Sequence, residues 1–170
     1  MSNKKLTIIV EQLAELLLKN NKRLTVAESC TGGWVAKVIT DLSGSSHWFE
    51  RGFVTYTNQA KHEMLGVDES ILEKYGAVSQ ETVNAMALGA LKNSHADFSL
   101  SISGIAGPGG ATKDKPVGLV WFSWAVKENN TLNVLAAKKQ VFEGDRELVR
   151  LQAVEYALTG LKKYIEETCG

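Results

Sequence analysis

The apolar residues of this chain change their spacing again and again, and that change leaves few folds open. Leu6, Ile9, Val10, Leu13, Leu16 and Leu17 recur at intervals of three and four, which predicts a helix over residues 4–20 with one buried stripe. The run "LTVA" at 24–27 is too short for a helix and reads as a buried strand. Helical spacing returns in Trp34, Val35, Val38, Ile39 and Leu42. "GFVTYT" at 52–57 is strand-like by its β-branched and aromatic content, and two short helical pieces, "QAKHEMLGV" and "SILEKYG", follow it.

Ser79 is a suitable cap for a helix over 80–94 that carries Val83, Met86, Ala87, Ala90 and Leu91 on one face. "FSLSIS" at 98–103 alternates as a strand and runs into a glycine-dense loop. "VGLVWFSWAV" and "LNVLAAKKQVF" predict a hairpin, and Asp145 opens a last helix with an apolar stripe from Leu148 to Ile165. This order predicts a single three-layer α/β domain over residues 1–170, with a mixed, mostly parallel sheet flanked by helices.

Composition narrows the function classes. Lys+Arg and Asp+Glu cancel at 19 each and 44% of residues are hydrophobic, so no basic footprint for nucleic acid and no disordered tail is indicated. No apolar run approaches the ~20 residues of a membrane span. The expectation is a cytoplasmic protein whose partner is a small molecule or another copy of itself. Cys30 and Cys169 form no CxxC pair, and His47, His62 and His95 are scattered, so neither a disulfide framework nor a metal site follows from spacing.

In such sheets ligands bind beyond the carboxyl ends of the strands, and three polar, glycine-bearing stretches follow predicted strands: "AESCTGG", "TNQAK" and "GIAGPGG". A helix starting near Cys30 or Thr31 would point unpaired N–H groups at the first turn, where they suit a phosphate or an oxyanion, and Gly32 and Gly33 would let a ligand approach. Ser29 needs a base to act as a nucleophile. Lys61 is one if burial lowers its pKa, with Tyr56, on the preceding strand, relaying or orienting the proton. Cys30 is a further candidate nucleophile at a helix start.

"GIAGPGG" lacks both the Walker and the dinucleotide spacing, yet Ser103, Gly104 and Gly107 make it a ligand-facing loop. Arg146 falls in the first turn of the last helix, where the macrodipole disfavours a cation and a bound anion would offset that. "GSSHWF" adds Ser46. Each residue also admits a plain reading as a cap, a solvated charge or a packed core group. A Tyr-x-x-x-Lys oxidoreductase is a poor fit, because Lys61 lies five residues after Tyr56.

Together "TVAESCTGG", "GSSHWFERGFVTYTNQAK", "GAVSQETV", "SGIAGPGG", "KPVGLVWF" and "FEGDRELVR" resemble the CinA carboxy-terminal domain family over roughly residues 5–165. The resemblance implies hydrolysis of the carboxamide of nicotinamide mononucleotide to nicotinic acid mononucleotide and ammonia, with no metal or cofactor and a homo-oligomer. It carries the serine nucleophile to Ser29, with Ser46 as the other candidate, and the tyrosine and lysine to Tyr56 and Lys61. Thr31, Gly32, Gly33, Ser46, Ser103, Gly104, Gly107 and Arg146 become substrate-binding residues. Ala111 departs from the glycine that relatives often carry there. Longer members have a preceding domain with pyrophosphatase-like activity, which is not expected here. The alternative is a nucleotide-binding regulatory module without catalysis.

Overall fold

A computed structural model describes residues 2–170. In chain order its elements are α1 (Ser2–Lys19), β1 (Leu24–Glu28), α2 (Trp34–Thr40), a short 3-10 turn (Ser45–His47), β2 (Phe49–Val54), α3 (Asn58–Leu65), α4 (Glu69–Tyr75), α5 (Gln80–Lys92), β3 (Phe98–Gly104), β4 (Leu119–Glu128), β5 (Thr131–Val141) and α6 (Arg146–Cys169). The five strands form one sheet in the order β2-β1-β3-β4-β5. β1 pairs in parallel with β2 and with β3, while β4 runs antiparallel to both β3 and β5. Four strands therefore point one way, and the predicted three-layer domain with a mixed sheet is what forms.

The alternation of β3 places its two residue sets against different layers. Phe98, Leu100 and Ile102 join the core shared with α1, α2 and α6, where Leu13, Leu17, Val35, Val154, Leu158 and Leu161 are also buried. Ser99 and Ser101 face α5 and are fully buried. Alternating serines would ordinarily mark a solvated face, but here their hydroxyls donate to the α5 carbonyls of Ala87 and Val83 at 2.8 and 2.6 Å. A buried hydroxyl is tolerated only with such a partner.

Several predicted boundaries move, each for a local reason. β2 begins at Phe49 and ends at Val54, so Tyr56 lies beyond the strand. The chain turns there because Thr57 caps α3, its side chain accepting from the Ala60 N–H. α2 begins at Trp34 rather than near Cys30, because Gly32 and Gly33 have φ of 58° and 98°, outside the right-handed helical region. Ser79, Asp68 and Asp145 cap α5, α4 and α6 by side-chain acceptance of first-turn amides. The β4–β5 hairpin turns at Asn129 and Asn130, both left-handed (φ 49° and 62°), the conformation that a two-residue type I′ turn demands.

Gly89 is where α5 meets the end of α3. A Cβ built there would overlap the Leu65 carbonyl, which is backbone and unable to swing away. Gly89→Ala is expected to destabilise the domain by about 1–3 kcal/mol through forced separation of the helices, read as a lowered midpoint in urea with an unchanged slope.

Candidate active site

Because β1, β2 and β3 are parallel neighbours, their carboxyl ends open at the same edge of the sheet. The turn after β1, the segment from Thr55 into α3 and the loop after β3 meet there, joined by the first residue of α6. They enclose a cleft of about 220 Å³ lined by Ser29, Cys30, Tyr56, Lys61, Ser103, Gly104 and Arg146, with Ala77, Val78 and Ala106 as its apolar wall.

Lys61 is the most unusual side chain in the fold, a lysine with 1% of its surface exposed. Its Nζ lies 2.9 Å from Ser29 Oγ, 2.9 Å from the Thr55 carbonyl and 3.4 Å from the Tyr56 carbonyl. Burial disfavours the ammonium and lowers its pKa from 10.5 to about 8. Deprotonation has a directional consequence. A neutral amine keeps two N–H groups and one lone pair, and the two carbonyls can only accept. They take the N–H groups, and the lone pair faces the Ser29 hydroxyl. This is the geometry of a base poised on a nucleophile.

Cys30, the neighbouring candidate, is pushed the other way. Its thiol is buried and its pKa rises to about 12, so it stays protonated where a nucleophile would need a thiolate. The thiol is a small core group at the end of β1, in keeping with the plain reading of Cys30 as a packed residue.

The turn that carries Ser29 is held by two residues that sequence reasoning left unassigned. Glu28, 1% exposed, accepts from the N–H groups of Val35 and Ala36 and from the Thr31 hydroxyl at 2.7–3.2 Å. The start of α2 is thus occupied by the protein's own carboxylate, and the macrodipole favours that charge. Arg150 donates through Nε to the Cys30 carbonyl at 3.0 Å and through Nη2 to the Thr31 carbonyl at 3.1 Å, while its guanidinium stacks 5.3 Å from the centre of the Trp34 ring. The available signals were positional: Glu28 directly follows a buried strand, and Arg150 is four residues after Arg146 on the same helix face.

These contacts reduce the set of amides open to a ligand. Gly32 N–H closes the turn on the Ser29 carbonyl at 3.1 Å, and Trp34 N–H bonds the Thr31 carbonyl. Among the described residues the N–H groups of Cys30, Thr31 and Gly33 have no acceptor, but Thr31 is fully buried and only Ser29 and Cys30 of this turn line the cleft. The expectation that the N–H groups of the whole Thr31–Gly33 stretch face a ligand is corrected to this extent.

Tyr56 touches Lys61 through its backbone carbonyl. Its exposed side chain instead reaches Arg146, whose Nη2 donates to the phenol oxygen at 3.0 Å and whose Nη1 donates to the Gly107 carbonyl at 2.9 Å. The phenol makes no bond to Lys61 or Ser29, so the geometry assigns Tyr56 to the mouth of the cleft rather than to a proton relay. Ser103, next to last in β3, is buried and lines the cleft. Ser46 does not join these residues. It is exposed in the turn before β2, at the amino ends of the parallel strands, a strand length (roughly 16 Å) from Ser29.

The chain matches the CinA C-terminal domain family over residues 6–165. It is 54% identical to "Nicotinamide-nucleotide amidohydrolase PncC" of Enterobacter agglomerans, over 98% of this chain and 99% of that one. It is 50% identical to the protein of the same name from Escherichia coli (strain K12), over 99% of this chain and 100% of that one. The crystal structure of the competence/damage inducible protein CihA from Agrobacterium tumefaciens superposes with a TM-score of 0.88 at 40% identity, covering 94% of this chain and 95% of that chain.

The two cysteines provide a check on the electrostatics of the cleft. Cys169 is half-buried at the end of α6, whereas Cys30 is buried with a pKa of about 12. Iodoacetamide at pH 8 should alkylate Cys169 and leave Cys30 unmodified in the folded protein, read by peptide mass spectrometry. Equal labelling would contradict the assignment of Cys30 as an inert core thiol.

Proposed function

The chain belongs to the CinA C-terminal domain family, and from that membership we propose that it hydrolyses the carboxamide of nicotinamide mononucleotide to nicotinic acid mononucleotide and ammonia, with Ser29 as nucleophile and Lys61 as base. The observation that carries the mechanism is the 2.9 Å approach of a buried lysine, its pKa lowered to about 8, to the hydroxyl of Ser29. The names of the full-length relatives support the substrate.

The steps follow from that pair. Neutral Lys61 takes the Ser29 proton as Oγ bonds to the amide carbon, and the carbonyl π electrons move to oxygen. Backbone N–H groups of the Ser29 turn stabilise that oxyanion. When the carbonyl re-forms, the C–N bond breaks and the Lys61 ammonium returns its proton to the departing nitrogen, which leaves as ammonia. Water then attacks the acyl-serine, Lys61 accepts its proton, and Ser29 departs protonated with release of the carboxylic acid.

The remaining lining residues suit the rest of the nucleotide. Ala77, Val78 and Ala106 offer an apolar wall to the pyridine ring. Arg146, at the cleft mouth with one guanidinium edge against Tyr56 and Gly107, is the cation for the phosphate, with the Ser103 hydroxyl deeper in the cleft. Binding energy from a phosphate remote from the amide favours the nucleotide over free nicotinamide.

Incubation of the protein and of Ser29→Ala with nicotinamide mononucleotide, followed by assay of ammonia and nicotinic acid mononucleotide, tests the reading. Equal release of both products by the wild type alone is expected. Release by both proteins would remove Ser29 as nucleophile, and release by neither would favour the non-catalytic module.

The pH profile tests the base separately. Lys61 acts only when neutral, and its pKa lies below that of an ordinary lysine. kcat/KM should therefore rise with pH through a limb near 8 and fall tenfold per unit well below it. A flat profile from pH 6 to 9 would exclude Lys61 as the base.

A further inference from the structure

We infer that Arg150, which lies outside the cleft, is a positioning residue that holds the turn carrying the Ser29 hydroxyl in its working place beside Lys61; the inference rests on the amidase reading above. The support is geometric. The guanidinium holds the carbonyls of two successive residues, Cys30 and Thr31, at 3.0 and 3.1 Å. A trans peptide is planar, with its C=O and the following N–H pointing in opposite directions. Fixing the Cys30 carbonyl towards α6 therefore turns the Thr31 N–H away from α6, and fixing the Thr31 carbonyl does the same for Gly32 N–H. The second amide is visibly so placed, because it closes on the Ser29 carbonyl at 3.1 Å. With both carbonyls held, the backbone that follows Ser29 is fixed in orientation, and Ser29 and Cys30, the two residues of this turn that line the cleft, are fixed with it.

Two further features fit positioning rather than substrate contact. Arg150 does not line the cleft, whereas Arg146, one helical turn earlier, does. Among the described residues Arg150 forms no ion pair, and its guanidinium carbon lies over the Trp34 ring, 5.3 Å from the ring centre. A planar fork that holds two carbonyls beside an aromatic ring is a stiff clamp.

The alternative is that Arg150 only stabilises the fold, and the two differ kinetically. Arg150→Met and Arg150→Lys, assayed beside the wild type with nicotinamide mononucleotide, should fold with circular dichroism spectra like the parent. In Arg150→Met, kcat should fall about 10- to 100-fold, as misplacement by around an ångström does, with KM within about threefold and the limb near pH 8 unmoved. Arg150→Lys supplies a point charge that holds one carbonyl instead of two and should recover part of kcat. An unchanged kcat in Arg150→Met overturns the inference, as does a loss confined to KM. If Arg150→Met does not fold, Arg150→Gln replaces it, and a folded Arg150→Gln with wild-type kcat overturns the inference equally. A wild type that releases no ammonia overturns the amidase reading and this inference with it, whereas an active wild type with an active Arg150→Met overturns the inference alone.

Discussion

The structure depends most on one amine taken out of water. Lys61 is buried in a domain whose other fully buried large side chains are almost all apolar, and it survives there because Ser29 and two backbone carbonyls surround its nitrogen. Those three partners come from the end of β1 and from the segment after β2, so the parallel pairing of these strands is what creates the environment. The same burial that makes the ammonium unfavourable makes the free amine available near neutral pH. Stability and reactivity at this point oppose each other.

Around that amine, charge is arranged in compensating layers. Glu28 is a buried carboxylate adjoining Ser29, yet it meets the N-terminus of α2 and the Thr31 hydroxyl rather than Lys61. Arg150 meets the carbonyls on the opposite side of the same turn. Between them the donors and acceptors of the Ser29–Ala36 segment are largely consumed, and the turn has little freedom left. Such over-determination suits a site where reacting atoms must stay within a fraction of an ångström of their working geometry.

Much of this was legible in advance. The change from a spacing of three and four to short apolar runs and back located nearly every helix and strand, because burial against one or two layers imposes those periods on any sequence. Ser29, Lys61, Ser103, Gly104 and Arg146, all named from the sequence, line one cleft, since polar groups after strand ends have few other places to go in an α/β sheet. Where local chemistry competed with period the reading slipped. Tyr56 looked like strand until the Thr57 cap ended β2 early, and the start of α2 moved by several residues because consecutive left-handed glycines forbid helix.

By itself, then, the amino-acid order determined the layer architecture, the elements and the residues capable of chemistry, all of which rest on local periodicity and side-chain type. Tertiary structure alone decided which of them meet. It carried Ser46 to the far end of the strands and Lys61 to Ser29, turned the Tyr56 phenol outward to Arg146, and brought Arg150 from the last helix onto the first turn. It also decided protonation, lowering Lys61 to about 8 and raising Cys30 to about 12. Desolvation depends on what surrounds a group in three dimensions, and no sequence spacing encodes that.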